Sequence, residues 1–136
     1  MSNLKDILSN VDARESLRPA AHGGASVDGQ TVDLRGCDSN VIVASVGAAA
    51  GADSDTVFAV LESDEAATGF TVAGADDVRD LPVAIEANSF YQFSYVGAKR
   101  YIRVRVVTGG ASTVAASAMV IKGDLHRAPA DFTVAS

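Results

Sequence analysis

The chain has 136 residues, of which 48% are hydrophobic and 6% aromatic, with no Trp and a formal net charge of −6. This length fits a single domain that buries about two thirds of the surface of its extended chain. The negative charge argues against general binding to nucleic acid, which needs a basic stripe to release phosphate counterions.

Residues 1–25 are predicted to form an N-terminal arm that begins with a short amphipathic helix. Four apolar residues at positions i, i+3, i+4 and i+7 share one face of this helix: Leu4, Ile7, Leu8 and Val11. The spacing from Asp12 to Glu15 resembles a capping box and predicts a second short turn. Pro19 ends any helix, and the Gly-rich segment 20–26 is predicted to be a linker. Because so short a helix is marginal alone in water, its apolar stripe must rest on its own sandwich or on a neighbouring subunit.

Residues 26–128 are predicted to form an all-β domain, and residues 129–136 a C-terminal tail. Period-two alternation and intervening turn residues predict strands at Thr31–Arg35, Asn40–Val46, Thr56–Glu62, Gly69–Val72, Phe90–Val96, Lys99–Thr108 and Thr113–Lys122, with a further short strand at Val83–Ile85. Seven or eight strands at regular spacing fit a two-sheet β-sandwich of jelly-roll or immunoglobulin-like order.

The last three predicted strands are expected to form a meander, joined by tight turns at Val96–Lys99 and Gly109-Gly110. Alternation in the middle strand assigns one set of residues to the core: Ile102, Val104 and Val106. The opposite set forms an exposed row: Tyr101, Arg103 and Arg105. Tyr and Arg are enriched at protein interfaces, so this row is either a contact surface or a solvated sheet face.

No pattern for catalysis or for a cofactor stands out. The two histidines are His22, in the predicted linker, and His126, in the C-terminal arm, and neither is placed to activate a nucleophile. His and Cys residues are too few for a structural zinc site. The acidic loop at residues 53–64 fails the 12-residue calcium motif, because Phe58 stands where that motif requires Gly; a calcium site outside the motif or ordinary solvated loops stay open. The prediction is therefore a protein that is not an enzyme and binds no cofactor.

The sequence also gives expectations for the compartment of the protein and for its self-association. The lone Cys37 excludes an internal disulfide, and no segment approaches the ~20 apolar residues of a membrane span. The N-terminus lacks the basic start and apolar run of a secretion signal, so a soluble protein that is not exported is expected. A thin core rich in Ala and Val favours self-association, which adds buried area.

Three segments resemble small virion structural proteins of tailed bacteriophages. They are Leu61-Glu-Ser-Asp-Glu65 with Gly69-Phe-Thr-Val72, then Tyr95-Val-Gly-Ala-Lys-Arg-Tyr-Ile-Arg-Val104, and finally Val120-Ile-Lys-Gly123 with His126-Arg-Ala-Pro129. The similarity covers roughly residues 31–129, and Phe70 stands where a Trp is common in such proteins. The resemblance implies a capsid decoration (cement) protein that sits on the outer surface of the head as a homotrimer.

The resemblance further implies contact with the major capsid protein, assembly in the host cytoplasm, and a location on the virion surface. On this reading the contacts to the capsid or between subunits involve the N-terminal stripe Leu4, Ile7, Leu8 and Val11 and the row Tyr101, Arg103 and Arg105. Two alternatives remain. One is a structural protein of the head–tail junction or tail. The other is a carbohydrate-binding jelly-roll module that uses Tyr91, Tyr95 or Tyr101 as stacking platforms.

Overall fold

The computed structural model describes residues 11–23, 26–50, 56–108 and 113–125. These residues form ten strands: β1 (Asp12–Gly23), β2 (Ser26–Asp28), β3 (Val32–Asp33), β4 (Cys37–Ala50), β5 (Val57–Ser63), β6 (Thr71–Val72), β7 (Val78–Arg79), β8 (Phe90–Tyr95), β9 (Tyr101–Val107) and β10 (Thr113–Leu125). A 3₁₀ turn, Ala75–Asp77, precedes β7. No helix in the described part is long and apolar enough to cross a membrane.

The strands form two antiparallel sheets, as the sequence predicts. Sheet A has the order β1-β10-β4-β8-β7, and sheet B has the order β2-β9-β5-β6, with β3 also paired to β9. When β2 and β3 are taken as one interrupted strand and β7 as an addition to the β8 edge, the strand orders of the two sheets are those of a jelly roll. Of the two sandwich orders predicted, the structure has the jelly-roll one.

The core lies between the two sheets and is built mainly from β-branched residues and alanines. The alternation predicted for β9 is confirmed, because Ile102, Val104 and Val106 are fully buried. Phe58 of β5 fills the centre, with its ring centroid 6.0 Å from that of Phe93 and 6.2 Å from that of Tyr91. These aromatic contacts cross from sheet B to sheet A and join the two layers.

The predicted meander of the last three strands is wrong. Strand β8 pairs with β4 and β7 in sheet A, β9 pairs with β2, β3 and β5 in sheet B, and β10 returns to sheet A. The turn at residues 96–100 therefore crosses between sheets and does not close a hairpin. Alternation identifies the buried face of a strand, but a short connection does not identify its partner. The short strand expected at Val83–Ile85 is also absent, and Ile85 instead donates its backbone N–H to Thr56.

The segment predicted as a helical turn and a linker is strand β1, at one edge of sheet A. Its register against β10 shifts twice, between Glu15 and Leu17 and between Leu17 and Ala20. These bulges break the period-two pattern, since Ser16 and Leu17 are both buried. Pro19 falls in the second shift, on an edge strand, where a missing N–H is tolerated. The predicted helix at residues 1–10 and the predicted tail lie outside the described residues.

Candidate functional site

Among the side chains that the structure describes, none that points outward from the two central strands of sheet A, β4 and β10, is charged. By alternation, ten residues of β4 and β10 face outward. They are Ser39, Val41, Val43, Ser45 and Gly47 from β4, and Ala115, Ser117, Met119, Ile121 and Gly123 from β10. We call these ten residues the A face. An antiparallel sheet with one solvated face normally carries polar and charged residues outward. The A face departs from this rule.

The larger apolar residues of the A face are paired across β4 and β10. Met119 lies opposite Val43, and Ile121 lies opposite Val41, so the larger apolar side chains form two adjacent rows. Met119 is 41% exposed. Phe90 of β8, beside Ser45, is 60% exposed and extends the apolar surface toward the far edge. Exposed apolar surface of this continuity is typical of a protein contact.

The outward surface of sheet B, which we call the B face, is polar, and the guanidinium groups of Arg103 and Arg105 are held by contacts within the chain. Arg105 forms a two-pronged ion pair with Asp28, with 3.2 Å between Nη2 and Oδ2. Arg105 holds the pKa of the Asp28 carboxyl below its usual value, chiefly through this hydrogen bond. The Nε of Arg103 donates to the hydroxyl of Thr31 over 2.8 Å, and its guanidinium stacks 4.0 Å above the Phe70 ring.

Leu61 is buried on the B face and not in the central core. It lies opposite Arg103 on one side and Val72 on the other, yet it is only 1% exposed. Its cover comes from the turn at residues 64–70, which the Thr31 hydroxyl ties to the sheet by donating to the Ala66 carbonyl over 3.1 Å. The stack of Arg103 on Phe70 closes the same turn from its other end. This apolar residue of the B face is therefore covered by the chain itself.

Two of the segments that carry the phage resemblance meet at one end of the sandwich. The hydroxyl of Tyr95 donates to the Glu62 carboxylate over 2.7 Å and accepts the backbone N–H of Lys99 over 2.9 Å. Burial, followed by the hydrogen bond to Glu62, raises the pKa of Tyr95 well above its usual value. Lys99 then reaches Asp64 over 2.8 Å. The resemblance therefore falls on residues that hold this end together.

The third of these segments is tied to the same end through Lys122. Its ammonium lies 3.3 Å from a carboxylate oxygen of Asp12 and donates to the Asp33 carbonyl over 3.0 Å. Both charged side chains are about nine-tenths buried. Nearby, the Cys37 thiol donates to the Leu34 carbonyl, and burial raises its pKa, so the thiol form is favoured.

A cleft of about 600 Å³ opens at this end, between the turn before β4 and the turn before β9. Its wall includes the exposed side chains of Arg35 and Arg79, which have no anionic partner among the described residues. Two other basic residues on its rim are already paired, Arg100 with Asp33 over 2.8 Å and Lys99 with Asp64. The cleft is thus open, and two of its four basic residues are paired within the chain.

The described residues bring together no catalytic set. His22, predicted to lie in a linker, is buried in β1, where its Nε2 lies 3.0 Å from the Arg18 carbonyl and 3.1 Å from the Ala116 carbonyl. Because both carbonyl oxygens can only accept hydrogen bonds, Nε2 carries the proton, and the ring is used to hold strand β1 in place. Within the same residues, no group of three or more His, Cys, Asp or Glu side chains is arranged to hold a metal ion.

The three tyrosines considered as sugar platforms are occupied by the protein itself. The Tyr91 ring packs on Phe58, and its hydroxyl accepts the Glu86 N–H over 2.9 Å. Tyr95 is 3% exposed. The ring of Tyr101 is half-buried, with the Arg100 guanidinium 4.9 Å from its centroid.

The predicted contact residues fall into separate places. Tyr101, Arg103 and Arg105 share the B face, as alternation predicted, and their role in a contact stays a prediction. Leu4, Ile7 and Leu8 lie outside the described residues, whereas Val11 is half-buried just before β1. The A face was not singled out from the sequence. A signal was present, because Thr113–Val120 contains no charged residue on either side of the strand.

No protein-family model and no curated protein sequence matches the chain. The fold is similar to the crystal structure of the SPBc2 prophage-derived protein YomS, with a TM-score of 0.49 and 10% identity over 83% of this chain and 94% of that one. It is also similar to the crystal structure of PirA, with a TM-score of 0.40 and 12% identity over 89% of this chain and 99% of that one. At these values the two likenesses carry no argument about function.

Proposed function

We propose that the chain is a structural protein of a phage virion that binds the outer surface of the capsid as a decoration protein and stabilises the head. The observation that carries this proposal is the A face, on which none of the ten residues is charged. A surface of this kind serves protein contact. The resemblance of three segments to phage virion proteins supports a capsid as the partner in this contact.

The contact with the shell is assigned to two apolar surfaces. The A face supplies a rigid one, because its residues sit on strands held by neighbours on both sides. The predicted N-terminal stripe, Leu4, Ile7, Leu8 and Val11, supplies a second. Three copies around a threefold axis would multiply these weak contacts, since linked sites raise avidity by roughly 10²–10⁴. The homotrimer and the major capsid protein as partner are part of this proposal.

The test is co-sedimentation of the purified protein with expanded shells of the same phage, after its mass in solution is measured by light scattering. A trimer that saturates the shells at hundreds of copies supports a decoration protein. Binding at a dozen copies or fewer would move the protein to the head–tail junction. No binding at all would refute the proposal.

A matched pair of variants locates the contact. Val43→Asp places a charge at the centre of the A face, opposite Met119, and is expected to reduce binding to shells at least tenfold, about 1.4 kcal/mol or more. Val83→Asp makes the same change at a residue that is 92% exposed and outside both faces, and it should bind as the unmodified protein does. Equal binding of the two variants would remove the A face from the contact.

A further inference from the structure

We propose that the cleft between the turns before β4 and before β9 binds an acidic segment of a partner protein, through a carboxylate that adjoins an apolar side chain. Arg35 and Arg79, which have no anionic partner among the described residues, receive the carboxylate. The cleft is separate from the A face, so this binding can hold or fail whether or not the protein decorates a capsid.

The walls of the cleft are held by hydrogen bonds within the chain. The side-chain amide of Asn40 accepts the Tyr95 N–H over 3.0 Å and donates to the Tyr95 carbonyl over 2.8 Å. The N–H of Leu34 donates to the Arg100 carbonyl over 2.8 Å and so joins the two turns. A cleft that is already formed loses little conformational entropy when a ligand binds.

The backbone of both arginines is fixed as well. The N–H of Arg35 donates to the Asp33 carboxylate over 2.9 Å, and the next residue, Gly36, has a φ of 89° that suits glycine. Arg79 pairs with Ser94, another residue of the cleft wall. Because both arginine side chains are exposed, each can bind a carboxylate without first breaking an ion pair among the described residues.

The charge of the cleft fits a single carboxylate. The two other basic residues of the wall are already paired within the chain. Arg35 and Arg79 add two positive charges and Asp38 offsets one of them, so the wall keeps a surplus of one positive charge. A phosphate group carries about two negative charges at neutral pH, so it would be repelled more strongly by Asp38 and by Asp77, whose carbonyl accepts the Val96 N–H in the cleft wall. A carboxylate carries one charge and forms two-pronged hydrogen bonds with arginine.

The cleft offers apolar surface as well as charge. Val96 is 52% exposed, and Leu34 and Ala98 also line the wall. The cleft volume of about 600 Å³ lies within the roughly 300–1,000 Å³ of typical ligand sites. Since the cleft is open, it contacts one side of its occupant, and a peptide that runs past both of its ends gains more contact than a small molecule. The occupant is therefore a segment in which an apolar residue adjoins Asp or Glu.

Binding of short capped peptides, followed by NMR, tests the proposal. Each peptide of the panel has Glu or Asp at its centre with Leu, Val or Phe on one side, and each has a neutral counterpart with Gln or Asn at the centre. The best acidic peptide is expected to bind at least tenfold more tightly than its counterpart, about 1.4 kcal/mol or more. It should shift the backbone signals of Leu34, Asn40 and Val96 and leave those of the B face unchanged.

Three arginine variants locate the carboxylate. Arg35→Gln and Arg79→Gln should each weaken binding of the acidic peptide about fivefold or more, and leave binding of the neutral counterpart unchanged. The matched control is Arg18→Gln, on β1, because Arg18 is paired with Glu15 and does not line the cleft. It should bind the acidic peptide as the unmodified protein does. All three side chains are exposed, so the variants should keep the Tm of the unmodified protein.

Several results would overturn the proposal. They are no binding by any peptide of the panel, equal binding of acidic peptides and their neutral counterparts, or an equal loss of binding in all three arginine variants. Acetate or inorganic phosphate that bound as tightly as the peptides would assign the cleft to a small anion instead. Cleft signals that shifted with protein concentration alone would assign it to a second copy of the chain. These readouts come from the protein without shells, so they are separate from failure of the capsid assay.

Discussion

Gly97→Ala is expected to destabilise the protein strongly for a conservative change. A Cβ at Gly97 would lie 2.5 Å from the Tyr95 hydroxyl oxygen and 2.7 Å and 2.8 Å from two ring carbons. Real Cβ contacts are longer than 3.0 Å, so one group must move. Tyr95 cannot move cheaply, because it is 3% exposed and its hydroxyl bonds both Glu62 and Lys99. Overpacking of this kind costs about 1–3 kcal/mol.

The measurement is urea unfolding followed by circular dichroism, with thermal melts alongside. For a chain of this length, a loss of 1–3 kcal/mol corresponds to a fall in Tm of about 4–12 °C. Gly74→Ala is the matched control. Its nearest neighbour would be an Asp77 oxygen at 3.8 Å, and its backbone is extended, so the added methyl should change the free energy of unfolding by less than about 1 kcal/mol in either direction.

A combined variant separates crowding from other effects of the methyl group. Tyr95→Leu removes the hydroxyl and the ring carbons that meet the new Cβ, so Gly97→Ala should cost much less in that background than alone. If Gly97→Ala proved as harmless as Gly74→Ala in the unmodified chain, the turn at residues 96–100 would not pack on Tyr95. The structural account of the resemblance segment would then be refuted.

Three further predictions concern the same end and the B face. Tyr95→Phe should lower the free energy of unfolding by about 1–3 kcal/mol, because the Glu62 carboxylate and the Lys99 N–H lose their partner. The raised pKa of Tyr95 means that the folded protein holds this proton more tightly, so stability should fall as the pH rises above about 10 in the unmodified protein and fall less in the variant. Leu61→Ala should cost about 2–3 kcal/mol in urea unfolding, the lower part of the range for a buried Leu, since its cover is a surface turn. Asp28→Asn should lower the free energy of unfolding by at most about 1 kcal/mol, because the side chains of the pair with Arg105 are about a third exposed. The unmodified protein should lose stability as the pH falls through the lowered pKa of Asp28, and the variant should lose less.

Two of these predictions have a control variant, and the third is judged by its pH dependence. Tyr101→Phe tests a tyrosine whose hydroxyl has no role in the argument, and a cost equal to that of Tyr95→Phe would contradict the bridge. Ala59→Gly removes an outward side chain next to Leu61; a similar loss for both would mean that Leu61 has no special cover. If Asp28→Asn left the acid limb of the stability curve unchanged, the Arg105 pair would not contribute to it.

Strand β9 shows what could be predicted from the sequence. Ile102, Val104 and Val106 alternate with larger polar residues, and burial follows this alternation strictly. The same pattern carries no information on pairing, so the neighbouring strand β8 was assigned to the wrong sheet. Pairing depends on which faces must be covered across the whole chain, and a local pattern cannot supply that.

Strand β1 shows what could not be predicted. Its bulges bury Ser16 next to Leu17, and Ser16 uses its hydroxyl to bond Gln30 and the Val104 N–H, so this residue ties sheet A to sheet B. In the sequence, a serine that bonds a distant strand cannot be distinguished from a serine in a turn. With Pro19 close by, the segment has the composition of a linker and the structure of a sheet edge.

The pairing of β1 with β10 also decides how the protein carries a mechanical load. β1 begins and β10 ends at the same end of sheet A, with Asp12 beside Lys122. Tension between the chain segments that flank these two residues would break their hydrogen bonds one pair after another, as in a zipper. Tension between the start of β1 and the A face would instead load many bonds at once. The force needed to unfold the sandwich should therefore be larger when it is pulled from the start of β1 and from its broad face than when it is pulled by the two flanking segments.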